Sequence, residues 1–121
     1  MTALTWIGVL TLGGAGALAR FVLDTIVGSA FGRDFPLGTL SINVSGAFLL
    51  GLVSGLALTG NALILAGTAT LGSYTTFSTW MLETHRLREE GEFAGAFANA
   101  ADSLLVGIGA VALGRTIGGA L

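Results

Sequence analysis

Residues 72–80 read Gly-Ser-Tyr-Thr-Thr-Phe-Ser-Thr-Trp and lie inside a stretch, Ala62 to Leu82, that carries no charged side chain. An apolar run of that length is what a helix needs to cross the roughly 30 Å hydrocarbon core of a bilayer. Small hydroxyls and aromatic rings crowded into its interior are out of place in lipid. Glycine and β-branched threonines also weaken a helix. Backbone that unwinds at membrane depth is tolerated only where protein buries it or water lines it. The stretch therefore predicts a transmembrane helix broken in mid-membrane. Freed carbonyls there suit a cation, and freed amides and hydroxyls suit an anion. In the competing reading, the hydroxyls bond back to carbonyls one turn earlier and the helix stays intact.

Outward from this stretch, charges and turn signals divide the chain into four apolar spans, at about 4–28, 37–58, 62–82 and 93–121. Arg33-Asp34-Phe35-Pro36 is a polar turn closed by the only proline. Thr59-Gly60-Asn61 is a second, short break with a turn dipeptide. It makes the second and third spans an antiparallel hairpin. Glu83 to Glu92 is the longest hydrophilic segment and reads as a helix end followed by a loop. A membrane barrel is a poor fit, because it needs at least about eight short alternating segments. The predicted fold is an all-α membrane protein, one domain over residues 1–121, with four transmembrane helices. Four spans place both termini on one face. The first and third loops share the other and hold Arg33, Arg86 and Arg88, against Arg115 beside the termini. That is a weak topological bias. If the orientation is fixed, it puts the termini outside.

Composition agrees with a chain solvated by lipid. Hydrophobic residues make up 53% and charged residues 10% of 121, against about a quarter charged in soluble domains. No cysteine is present and only one histidine, which excludes disulfides, thiolate metal sites and histidine clusters. A net charge of -2 argues against a nucleic-acid partner. Twenty glycines in an apolar chain suit close helix packing in a membrane. Leu4 to Leu12 has the apolarity of a signal peptide, but no Lys or Arg precedes it, so no cleavable signal is expected. Gly14-Ala15-Gly16-Ala17-Leu18-Ala19 fits a dinucleotide-binding fingerprint. The alternating strands and helices that fingerprint requires are missing, so it is read as helix.

Polar side chains at membrane depth are expensive and mark interior faces or water paths. Arg20 is the costliest, read either as a snorkelling residue or as a partner of Asp24 four positions on. Asn43 lies seven residues into the second span, among Gly38, Gly46 and Gly51, which are read as helix contacts. Its amide is either an ion ligand or interhelical glue. Asn99 and Ser103, four apart, share a face of the fourth span. Asp102 is expected near the start of that helix, in water.

Three blocks, GGAGALAR in the first span, GTLSINVSGAFLLG in the second and GSYTTFSTW in the third, resemble the Fluc (CrcB) fluoride channels. The resemblance covers roughly the whole chain and is weakest in the fourth span. It implies four-helix subunits that pair in antiparallel orientation, with two pores along the dimer interface that release cytoplasmic fluoride passively. It also implies a sodium ion at the dimer centre, held by the backbone carbonyls of Gly72 and Thr75. By the same resemblance Phe77 turns a ring edge to the ion, Asn43 donates to fluoride, Arg20 lines a vestibule, and Ser103 belongs to a polar track. Three departures stand out: Trp80 occupies the family's second phenylalanine position, Asn99 a tyrosine position, and Ser73 and Tyr74 replace residues that are usually small.

These residue types suit fluoride, which holds water strongly. Neutral donors such as the Asn43 amide and the hydroxyls of Thr76 and Ser103 replace hydration without trapping the ion. An aromatic ring has a positive edge. The indole N–H of Trp80 is expected to add a true donor to the path. A proton-coupled small multidrug-type transporter is the rival reading, and its membrane carboxylate would have to be Asp24. A non-conducting partner of a heterodimeric fluoride channel is the third. A homodimer is preferred over a heterodimer with a paralogue. No enzyme is indicated, because the sole histidine, His85, lies in the charged segment and no nucleophile–base–acid set can be assembled.

Overall fold

The computed structural model describes residues 1–121, all helix and turn with no strand. Helix α1 is Ala3–Phe31 and α2 is Leu37–Gly55. The third span comes in pieces. A short α3, Gly60–Leu63, runs on as a π-helical stretch, Ile64–Leu71, and closes in the α4 turn, Gly72–Tyr74. After a break, α5 covers Ser78–Glu89, and α6 covers Phe93–Ala120. Three helices, α1, α2 and α6, are long and apolar enough to cross a membrane. The broken segment packs with them as a further helix, so the architecture is four helices with an interrupted third. The fingerprint-like glycines 14 and 16 sit inside an unbroken α1.

The tightest packing joins α2 to α6. Gly51 and Gly55 on α2 lie against the Val111 carbonyl and the backbone of Arg115 on α6. Gly114 and Gly118 on α6 lie in turn against the carbonyls of Phe48 and Leu52. Two Gly-x-x-x-Gly pairs therefore face each other and let the two backbones touch, as small residues do between membrane helices. The sequence reading singled out Gly51 and missed the reciprocal pair, which the spacing in GLVSG and GRTIG displays.

Helix α1 packs on the π-helical stretch and α4. Gly16 is buried against the Thr70 carbonyl and the Ser73 hydroxyl. That hydroxyl donates to Ala69 O at 2.7 Å, and Thr70 Oγ1 donates to Leu65 O at 2.7 Å. In the upper part of this span the hydroxyls do bond back to the backbone, as the intact-helix reading requires. The π-helical winding displaces carbonyls from their usual partners, and such segments cluster at functional positions.

The first and third loops share one face: Arg86 donates to the Arg33 carbonyl at 3.2 Å. Most of the hydrophilic segment 83–92 is helical, because α5 continues to Glu89. Two i,i+4 pairs, His85–Glu89 at 3.3 Å and Arg86–Glu90 at 3.5 Å, follow its surface. Large apolar side chains such as Leu4, Leu10, Phe21 and Leu105 point outward and are exposed. In water this surface would be untenable; in a bilayer it is the lipid face.

Candidate ion-pathway groove

The break at Thr75 to Phe77 is built from hydrogen bonds that leave the helix. Thr75 is extended, with φ -80 and ψ 160. The Thr76 amide, which an intact helix would direct at Gly72 O, instead donates to Asn43 Oδ1 at 2.9 Å. The Thr79 amide, due to bond Thr75 O, instead donates to Thr76 Oγ1 at 3.2 Å. The carbonyls of Gly72 and Thr75 are thereby both released. These are the two carbonyls expected to meet a cation. Asn43 completes the arrangement by donating Nδ2–H to Thr76 O at 2.8 Å. Its carboxamide imitates a strand neighbour and satisfies both polar groups of one peptide residue. Asn43 is thus interhelical glue, and of the two Nδ2 hydrogens Thr76 takes one.

A groove of about 770 Å³ runs beside the break. Asn43 and Ala47 come from α2, and Thr75, Thr76, Phe77 and Trp80 from the break and the start of α5. The α6 side begins at Ser103 and continues through Leu104, Ile108 and Val111 to Arg115 and Thr116. Five of the six predicted ion-path residues, Asn43, Thr76, Phe77, Trp80 and Ser103, thus meet in one concavity. The Phe77 ring is 70% exposed and stands edge-on to Trp80, with centroids 5.6 Å apart and planes at 85°.

Trp80 differs from expectation. Its indole N–H donates to the Asn99 carbonyl at 2.9 Å, so the donor is committed to α6 and does not face the groove as a free station. Asn99 is wholly buried, with Nδ2 donating to Thr84 Oγ1 at 2.8 Å and Oδ1 left without a partner. Ser103, one turn on and lining the groove, is also buried with an unpartnered hydroxyl. Asp102 is exposed, but it lies nine residues into α6 rather than at its start.

Arg20 is not part of this groove. It is half-buried on α1, in no ion pair or hydrogen bond of the protomer. Asp24 pairs with Arg33 at 3.2 Å rather than with Arg20. The loop arginine reaches it because Gly28 and Gly38 leave room beside the carboxylate. Other contacts escaped the sequence reading. Thr39 donates to Glu83, tying α2 to α5, and the hydroxyls of Ser45 and Tyr74 meet at 2.8 Å. The two lie 29 residues apart, so no local pattern displays the contact.

The family model described as CrcB-like protein, Camphor Resistance (CrcB) matches residues 7–115. A Mycobacterium tuberculosis protein named fluoride-specific ion channel FluC 2 is 49% identical over 117 residues, covering 97% of this chain and 93% of its own. A Mycolicibacterium paratuberculosis protein of the same name is 51% identical, covering 96% of this chain and 95% of its own. A Leifsonia xyli protein named fluoride-specific ion channel FluC 1 is 42% identical, covering 98% and 90%. With a family model spanning nearly the whole chain and relatives this similar along their full length, the chain belongs to the CrcB family.

Proposed function

We propose that the chain is a subunit of a fluoride-selective channel, a multi-pass protein of the plasma membrane that lets fluoride leave the cytoplasm passively. The relatives named as fluoride-specific channels support this reading. The observation that carries it is the single groove joining a spare Asn43 amide hydrogen, the unpartnered Ser103 hydroxyl and the exposed Phe77 edge at a helix break. All are neutral, so an anion can bind and leave. Two copies in antiparallel orientation are the proposed assembly, and the groove, open along its length, is the face such a partner would close.

The released carbonyls of Gly72 and Thr75 are hard, neutral oxygens, the donor type a sodium ion accepts. One chain offers two of them, and a second copy related by twofold symmetry would double the set. Sodium there would supply fixed positive charge between two anion paths and join the subunits. The residues of this chain provide the orientation: Asn43 and the Thr76 hydroxyl hold the break open.

The multidrug-type reading is not favoured, since Asp24, its only candidate carboxylate, is paired with Arg33. A heterodimer with a paralogue remains the alternative assembly; relatives carrying both the FluC 1 and FluC 2 names favour testing it. Purified protein in liposomes tests the function. Fluoride should leave without a proton gradient, while chloride stays. Retention of fluoride by the protein purified alone, with release on adding a second family member, would point to the heterodimer.

A further inference from the structure

The groove carries one full positive charge, and it is not the one the sequence pointed to. Arg115 lines its far end, about 18 Å along α6 from Ser103 at 1.5 Å per residue. Its backbone is locked in the tightest contact of the molecule, with its N and O lying against Gly51 and Gly55. Its side chain is exposed and in no ion pair; the three pairs present involve Arg33, His85 and Arg86. No other charged side chain occurs in residues 1–19, 35–82 or 103–121, so no acidic side chain on that half of the bundle competes for it, and it is not paired with the C-terminal carboxylate. Between Arg115 and the Asn43–Ser103 cluster the α6 wall is apolar, formed by Leu104, Ile108 and Val111.

From this placement we infer that Arg115 is the anion-concentrating residue at the terminal-side mouth of the pathway. It raises the local fluoride concentration and hands the ion to the neutral donors deeper in. An apolar-walled cleft with one sign of charge focuses its field and speeds capture of the opposite ion. Glycine packing fixes the Cα at the mouth, so the guanidinium stays within one side-chain length of it. The proposal rests on the channel reading and adds a residue to it.

The test is the initial rate of fluoride efflux from liposomes for wild type, R115Q, R115E and R115K, at low fluoride. Each is measured at an ionic strength of about 0.01 M, where charge acts over about 30 Å, and at about 0.15 M, where it acts over about 8 Å. An inert, impermeant salt sets the difference. R115Q should be at least about threefold slower than wild type at low ionic strength and approach it at high. R115K should lie closer to wild type than R115Q does. R115E should show the opposite salt response, speeding up as salt is added while wild type slows, which a purely structural role would not produce. Wild-type efflux with R115Q equal to it at low ionic strength overturns this proposal alone. Absence of fluoride efflux from wild type overturns the channel reading, and this proposal with it.

Discussion

The carboxamide of Asn43 and the backbone of Thr76 pair in both directions, at 2.8 Å and 2.9 Å, across two helices 33 residues apart in sequence. This reciprocal bond holds the third span open, because it takes the amide that would otherwise close the helix onto Gly72.

Asn43→Leu should therefore do more than remove a donor. It leaves the Thr76 amide and carbonyl without partners, each unsatisfied buried group costing about 1–3 kcal/mol. Lower thermal stability of the purified protein and loss of fluoride efflux are expected together. Asn43→Asp keeps the acceptor, loses the donor and adds negative charge, so it should also block the anion. Full efflux in either variant would remove Asn43 from the pathway and from the break.

The indole of Trp80 is bonded to α6, and this gives Trp80→Phe a specific signature. A smaller aromatic ring remains, but the bond to Asn99 O is lost, worth about 0.5–1.5 kcal/mol net beside the lost packing. A lower unfolding temperature with fluoride-over-chloride selectivity retained is the expected result. Selectivity that collapses while stability holds would mean the N–H serves the ion after all.

Glycines 51 and 114 have no room for a side chain, because an added Cβ would strike carbonyls of the opposite helix. Gly114→Val should separate α2 from α6, at a cost of about 1–3 kcal/mol or more from overpacking, and lower the yield of folded protein. Gly14, with open space around it, should accept alanine. Thermal-shift assays in detergent separate the two outcomes, and equal tolerance at both positions would contradict the packing.

Sodium removal addresses the released carbonyls. If Gly72 and Thr75 hold the ion between two copies, exchanging sodium for a bulky organic cation should slow fluoride efflux and weaken subunit association. Unchanged efflux after exhaustive exchange would leave those carbonyls without the proposed role.

Much of this architecture is legible in the amino-acid order because lipid imposes strict rules. Uncharged runs of span length announce themselves, and Thr75 to Phe77 stand out as misfits inside one of them. The grouping of Asn43, Phe77, Trp80 and Ser103 followed from the resemblance, and the fold brings them together. What stayed hidden depends on direction and partner choice. Nothing local says that the Trp80 N–H turns to Asn99, or that Asp24 prefers a loop arginine nine residues away to Arg20 within its own helix. Arg115 enters the sequence reading only as a charge beside the termini, and its place at the end of the groove needs the fold. The opposed glycine pairs were readable from spacing alone, but their pairing across helices needed the fold.

The central claim is passive, selective conduction of fluoride, and a planar bilayer tests it most directly. With a fluoride gradient across the membrane and equal chloride on both sides, current carried by the reconstituted protein should reverse at the fluoride equilibrium potential. Reversal at zero voltage, where the symmetric chloride would set it, or the absence of current above a protein-free bilayer, would contradict the account.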